Sequence, residues 1–329
     1  MTTKALSGLA LAPLGLVALG AMLGCSGQLD AGYDTPHGKL PVDERSAMVV
    51  LNDGPRDNWQ GEFAVVLAAA GRLQLVGIVV DGSGVYPDLQ ENVAGFRRMV
   101  EAARESGMQN LPDPTASVSR MLVRPASGSI DDTTPNRSEG ARLILEAAAR
   151  YGSEVHPLVI ATGSPVTDVA DAYLMDPTLP ERAVVVSSLG STANGGAVAG
   201  SPNGDTDAWA TVIVTNRMRY VQVNAFYDQL QDVPEERVSE LPQNPFGDWM
   251  AEKRPEILDL IVACDQISVL AAALPWFATS VTRMRAEPGD DIPTLTPDPV
   301  GQIWHVPEAD TDAARDDFWR ALQDPATYQ

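Results

Sequence analysis

The chain has 329 residues, 44% of them hydrophobic and 20% charged, with a formal net charge of -21. That length suffices for one large α/β domain or two smaller ones, each with a substantial core. The acidic balance supplies no basic footprint, which argues against nucleic acid or an anionic membrane surface as a partner.

The first residues form a separate segment. Lys4 precedes an apolar run from Ala5 to Leu23, which ends in Met22-Leu23-Gly24-Cys25 and is followed by Ser26-Gly27. This pattern resembles a bacterial lipoprotein signal, in which Cys25 becomes the first mature residue and carries the lipid. Pro13, the glycines and the short run argue against a plain membrane span. The expectation is therefore a signal peptide over residues 1–25 and a protein lipid-anchored to the bacterial cell envelope, on the outer membrane or its periplasmic face. With Cys25 acylated, Cys264 is the one remaining thiol, so no internal disulfide can form. Residues 26–46 hold Gly, Pro and Asp without periodicity and read as a flexible tether. The fold is expected over 47–329.

Ala47 to Leu51 reads as a buried strand that meets Asn-Asp-Gly-Pro, a strong turn signal, and Glu62 to Ala70 as the helix that follows. Asp53, Asp57 and Glu62 crowd the loop between the strand's carboxyl end and the helix, where open α/β sheets place their ligand crevice. Three acids so close repel one another unless a cation or a set of donors sits among them, and carboxylate oxygens suit calcium or magnesium. A solvated helix cap accounts for the same residues equally well.

Leu73 to Val80 is a second apolar strand closed by Asp81-Gly82-Ser83-Gly84, and Val93 to Ser106 has helical spacing with Phe96, Met99, Val100 and Ala103 on one face. Strand, loop and helix thus repeat within sixty residues, which points to a mainly parallel sheet. Residues 110–136 contain Pro112, Pro114, Pro125 and Pro135 and read as a loop-rich wall or lid. The spacing then predicts a helix over 138–151 capped by Ser138, a strand over 157–161 and a helix over 166–175. A strand over 183–187, a glycine-rich loop over 190–204, a helix over 207–214 and a strand over 220–223 follow. The prolines at 234, 242 and 245 break 232–249 into irregular structure. Helical segments over 255–264 and 267–274, a loop over 288–299, a strand over 302–306 and a last helix over 310–322 complete the pattern.

Taken in order, these loops resemble the inosine-uridine preferring nucleoside hydrolase family, as a divergent lipoprotein form. The family's D-x-D-P-G-x-D-D loop is matched by Asp53-Gly-Pro-Arg-Asp57-Asn58, and its L-x-G-I-x-x-V strand by Leu75-Val-Gly-Ile-Val-Val80. The T-G-P-L-T-N turn is matched by Thr162-Gly-Ser-Pro-Val-Thr-Asp168 and the D-P strand by Asp176-Pro177 through Val186. The E-F-N-x-x-x-D-P-E-A-A element is matched in part by Asn203-Gly-Asp-Thr-Asp207-Ala-Trp-Ala, and the late H-D-P-L-A element by Cys264-Asp265-Gln-Ile-Ser268. The resemblance implies a single α/β domain whose mainly parallel central sheet is flanked by helices in a Rossmann-like manner.

It also implies a Ca2+ ion bound by Asp53, by Asp57 or Glu62, by the backbone carbonyl of Thr162 and by Asp265. Asp53 would be the base that takes a proton from the metal-held water, and the positive charge developing on the sugar would be stabilised by nearby carboxylates. Asp57, Asn58, Asn194 and Asn203 would hold the ribosyl hydroxyls. The chain departs from the family where Ser201 replaces a sugar-binding Glu and where Cys264 replaces the His that protonates the leaving base. The tryptophans read as core residues by default, with Trp59 and Trp249, in loops near the expected mouth, as the alternative candidates to stack on a sugar or base. The expected activity is calcium-dependent hydrolysis of N-glycosidic bonds in ribonucleosides or related ribosides. The alternative is a non-catalytic surface lipoprotein that binds a sugar or nucleoside with the same fold. The expected partners are a small-molecule nucleoside or riboside and a membrane reached through the lipid anchor, with no nucleic acid; a homo-oligomer is compatible with the sequence.

Overall fold

The computed structural model describes residues 33–35, 38–42, 46–56, 58–117, 120–190, 196–197, 202–259, 262–263, 265–287 and 293–329. Cys25, Asp57, Asn194, Ser201 and Cys264 therefore lie outside the described residues. The described residues include several before Ala47. Tyr33–Thr35 (β1) pairs antiparallel with Gly38–Leu40 (β2), and Leu40 and Val42 are buried in the core, so part of the expected tether belongs to the domain.

Ten strands form the main sheet. Ala47–Asn52 (β3), Gln74–Val80 (β4) and Pro114–Ala116 (β5) come first, then Leu158–Thr162 (β6), Ala183–Ser187 (β7) and Gly196–Ala197 (β8). Arg219–Val223 (β9) follows; Tyr227–Asp228 (β10) and Val262–Ala263 (β11) make a small separate pair. Ala278–Glu287 (β12), Thr294–Pro297 (β13) and Ile303–Ala309 (β14) complete the set. The spatial order is β5-β4-β3-β6-β7-β9-β14-β12-β13-β8, parallel from β5 through β14 and antiparallel beyond. The fold is a single α/β domain around this mainly parallel sheet. Chain order runs one way from β3 to β5 and the other way from β6 to β9, so the direction of winding reverses between β3 and β6. In open α/β sheets that reversal leaves a crevice at the strands' carboxyl ends.

The helices are Gln60–Ala69 (α1), Leu89–Glu105 (α2), Glu139–Tyr151 (α3), Thr167–Met175 (α4), Pro202–Asp205 (α5), Ala208–Arg217 (α6), Pro245–Lys253 (α7), Gln266–Ala273 (α8) and Thr311–Gln323 (α9). Two cores result, because successive strand side chains alternate between the faces of the sheet. Met48 and Val50 of β3 join Phe63 of α1, Phe96 of α2, Ile267 of α8 and Phe318 of α9 in one core. Val49 and Leu51 join Ile144 of α3, Val169 of α4 and Ile213 of α6 in the other. Local chemistry sets the helix starts: Asp88 accepts from the amides of Gln90 and Glu91, Ser138 from Ala141, and Asp207 from Ala210.

Three stretches depart from the sequence expectation. Residues 245–253 form α7, because Pro245 sits in the first turn, where its missing N–H costs nothing, and Asn244 caps it. The segment over 255–264 is a 3-10 turn, Arg254–Asp259, and then β11, and within 288–299 lies β13. The long strand β12 has only a partial alternating pattern, since its outer pairings are with β13 and β14 at the sheet's antiparallel end.

Candidate functional site

At the switch point the last residues of β3 part to opposite sides of the sheet. Asn52 continues the face of Met48 and Val50: its Nδ2 meets the side-chain amide of Gln60 in α1 at 2.7 Å, and its Oδ1 accepts from the Gly54 amide at 2.8 Å. The Gln60 amide in turn lies 2.9 Å from Ser268 Oγ in α8. Asp53 turns the other way, toward the hydroxyl of Ser83 and the carboxyl of Asp81 at the end of β4. One strand end therefore feeds two polar centres.

The first centre is built on Asp265, which stands just before α8 and is buried. Its carboxylate makes no cap bond to its own helix. Instead Oδ2 accepts from Asn58 Nδ2 at 2.7 Å and Oδ1 from Asn203 Nδ2 at 2.9 Å, which ties together three loops far apart in the chain. Asn58 is itself oriented, since its Oδ1 accepts from the Gln60 amide N–H at 2.9 Å. Gly163, after β6, is required by this approach: a Cβ there would lie 2.4 Å from Asp265 Cβ and 2.8 Å from Asn52 Nδ2. The start of α8 places its positive dipole end next to the Asp265 charge.

The second centre is a run of buried carboxyls on the α3–α4 side. Asn52 pairs with Val80 in register, so Asp53 and Asp81 follow as neighbours on adjacent parallel strands. Asp81 Oδ2 accepts from Ser164 Oγ at 3.1 Å, whereas its Oδ1 is buried with no hydrogen-bond partner among the described residues. Asp168 of α4 is close enough for its charge to act on Asp81; its Oδ1 accepts from Ser117 Oγ at 2.9 Å, and Gly140 of α3 leaves room for its Oδ2. Burial pushes the Asp53 carboxyl up to about 6, against the opposing hydrogen bond from Ser83. Burial, then the charges of Asp168 and Asp53, push Asp81 well above the usual carboxylate range.

The chain is thereby similar to several solved structures. A purine-preferring ribonucleoside hydrolase from Gardnerella vaginalis superposes with a TM-score of 0.58 at 15% identity, covering 85% of this chain and 99% of that one. The fold is nucleoside hydrolase-like. An inosine-guanosine nucleoside hydrolase matches with a TM-score of 0.58 at 15% identity, covering 84% and 99% of the two chains. The type III effector protein XopQ, complexed with adenosine diphosphate ribose, matches at 0.51 and 12% identity, covering 87% and 96%. No protein-family model matches the sequence, and neither does any curated protein.

Within this nucleoside hydrolase-like fold Asp57 lies outside the described residues, and Glu62 is engaged by another partner. Glu62, expected among the metal ligands, is fully buried and receives Lys253 Nζ on both oxygens at 2.8 Å and Trp249 Nε1 at 2.7 Å. The physical reason is α1 itself: it is buried along most of its length between the sheet, α8 and α9, so a carboxylate there needs a counter-ion, which α7 provides. Trp249 and Trp59 do not line a mouth. Trp249 serves Glu62, and Trp59 is buried with Lys253 Nζ 5.0 Å from its ring. The Thr162 carbonyl accepts from Ser187 Oγ at 2.9 Å. Asp53 and Asp265 head different centres, and the described residues contain no group of three or more His, Cys, Asp or Glu placed to hold a metal ion. Among the described residues the Asp265 centre offers one carboxylate facing amide NH2 groups, a set that does not fit calcium, which asks for six to eight oxygens.

Asn58 and Asn203, expected to hold sugar hydroxyls, are brought together on Asp265. Sequence reasoning passed over Asp81, Asp168 and Lys253. Asp81 had a signal: two successive strands of a parallel sheet each run into an Asp at the same end.

Proposed function

We propose that the protein binds the ribosyl part of a nucleoside or related riboside at the carboxyl-end rim and hydrolyses its N-glycosidic bond with its own carboxyl groups. The observation that carries this reading is the pairing of Asp53 and Asp81 at the switch point. Neighbouring carboxyls whose environments hold them at different protonation levels divide into a base and an acid. Asp53, with its carboxyl at about 6, is the base that takes a proton from the attacking water, and Asp81, raised by burial and by the charges of Asp168 and Asp53, is the acid of the pair. Asn58 and Asn203, held on Asp265 at the same rim, set the loops that surround the sugar. The nucleoside hydrolase-like fold supports a riboside as ligand.

The test is release of free ribose from a panel of purine and pyrimidine nucleosides, together with binding by calorimetry. Asp53→Asn should abolish release and leave binding within a few-fold. Binding with no release by the unaltered protein would establish the non-catalytic alternative, and neither binding nor release would refute the reading.

We also propose that Cys25 carries a lipid anchor, supported by the Leu23-Gly24-Cys25 sequence after an apolar run. Among the described residues no helix is long and apolar enough to cross a membrane. Cys25→Ser should move the protein from the membrane fraction to the soluble fraction; unchanged fractionation would rule the anchor out.

A further inference from the structure

We infer that the Asp265 centre is a cation-independent clamp, in which the amides of Asn58 and Asn203 take the place of a metal ion in joining the loops of the rim. The inference does not rest on the hydrolase reading, since a protein that only binds would carry the same centre.

The geometry of the amides decides the matter. A carboxylate that serves a divalent ion directs its oxygens at the ion, with other oxygens filling the remaining positions at 2.3–2.6 Å. Here both oxygens of Asp265 are directed at NH2 groups, 2.7 and 2.9 Å away. A cation bound to those oxygens would face the positive ends of two amide dipoles. Rotating the Asn58 amide to offer oxygen does not help, because Oδ1 is held by the Gln60 N–H; rotation would set NH2 against N–H and lose that bond. Asn52 is fixed in the same way by the Gly54 amide, on the side of the centre where a Cβ at Gly163 would touch it.

Two of the other oxygens expected around an ion are engaged by other partners. Glu62 is neutralised by Lys253, and the Thr162 carbonyl accepts from Ser187. Among the described residues the Asp265 charge is met by two charge-assisted hydrogen bonds and by the start of α8. What a metal ion does for a site of this shape is hold loops from distant parts of the chain in one arrangement. The Asp265 carboxylate does so through bonds that span 207 residues to Asn58 and 62 residues to Asn203.

The experiment uses the full chain after treatment with EDTA and dialysis. Metal content is read by elemental analysis, and melting temperature is read with and without millimolar CaCl2. The expected result is calcium far below one equivalent and a shift of under about 1 °C on adding calcium. Stoichiometric retained calcium, or a calcium-dependent rise of more than about 3 °C, overturns the inference. Asn58→Asp forms the second arm. It sets a carboxylate against Asp265, so in EDTA at neutral pH it should melt at least about 5 °C lower than the unaltered protein, and calcium should recover part of the loss. A variant as stable as the unaltered protein in EDTA would show that Asn58 does not clamp Asp265 and would overturn the inference on a readout that turnover does not enter.

Discussion

Replacing Lys253 by Met tests the assignment of Glu62 more sharply than any change to Glu62 itself. The two side chains are 2% and 0% exposed, and Nζ lies 2.8 Å from both carboxylate oxygens. Methionine keeps the volume and apolar stem of lysine and removes the charge. Glu62 is then left buried with the single neutral donor Trp249 Nε1 at 2.7 Å. Removing one partner of a buried pair costs about 3–5 kcal/mol, because the surviving charge loses its compensation while its desolvation remains. In a chain of this size each kcal/mol shifts the melting temperature by roughly 2–4 °C, so Lys253→Met should melt on the order of 10 °C lower, read by circular dichroism or calorimetry. Adding Glu62→Gln to Lys253→Met should recover much of the loss, since the amide is neutral and still accepts from Trp249. A loss below about 1 kcal/mol for Lys253→Met, with no recovery in the double variant, would refute the argument and return Glu62 to the pool of carboxylates free for a ligand.

Two further outcomes follow from the rim. Asp53 has a folded-state pKa of about 6 against an ordinary 3.8, and Asp81 is raised as well, so their contribution to stability is complete below pH 4 and is lost as pH rises; for Asp53 the loss runs to about pH 6. The Asp53 part is on the order of 3 kcal/mol in full, of which urea unfolding at pH 4.5 and 7.5 should show about 2 kcal/mol, with Asp53→Asn flattening the profile; an unchanged profile would contradict the burial assigned to Asp53. Gly163→Ala should destabilise by about 1–3 kcal/mol through overpacking, because its Cβ falls 2.4 Å from Asp265 Cβ. A neutral Gly163→Ala variant in the same unfolding assay would place Asp265 farther from β6 than described.

The regular parts of the fold were legible because their signals are local. Ala183 to Ser187 reads as a strand and is one; Ser138 announces the helix it caps; the runs at 47–51 and 73–80 fall within one residue of β3 and β4. The antiparallel end of the sheet was not legible, because β12 has only a partial alternating pattern of burial and β13 is four residues long. The site was legible in part. Asp265, Asn58 and Asn203 were singled out through the family resemblance, as a metal ligand and two sugar-binding residues, and the hydrogen bonds that join them are not marked in the sequence. That Asn52 and Asp53 go separate ways depends on strand alternation continuing past the turn signal, which composition does not reveal. Lys253 was invisible for a related reason: nothing near it in the sequence marks it as the counter-ion of a residue 191 positions earlier.

The divergence of Asn52 and Asp53 has a consequence for how the rim tolerates change. The backbone of one strand acts as a partition, with an amide-bound carboxylate on one side and a group of acids on the other. The two compartments meet at Asn52–Asp53 and at Gly163–Ser164, so substitutions made in both should couple rather than add. A single inserted residue in β3 would exchange the two compartments and disable both at once.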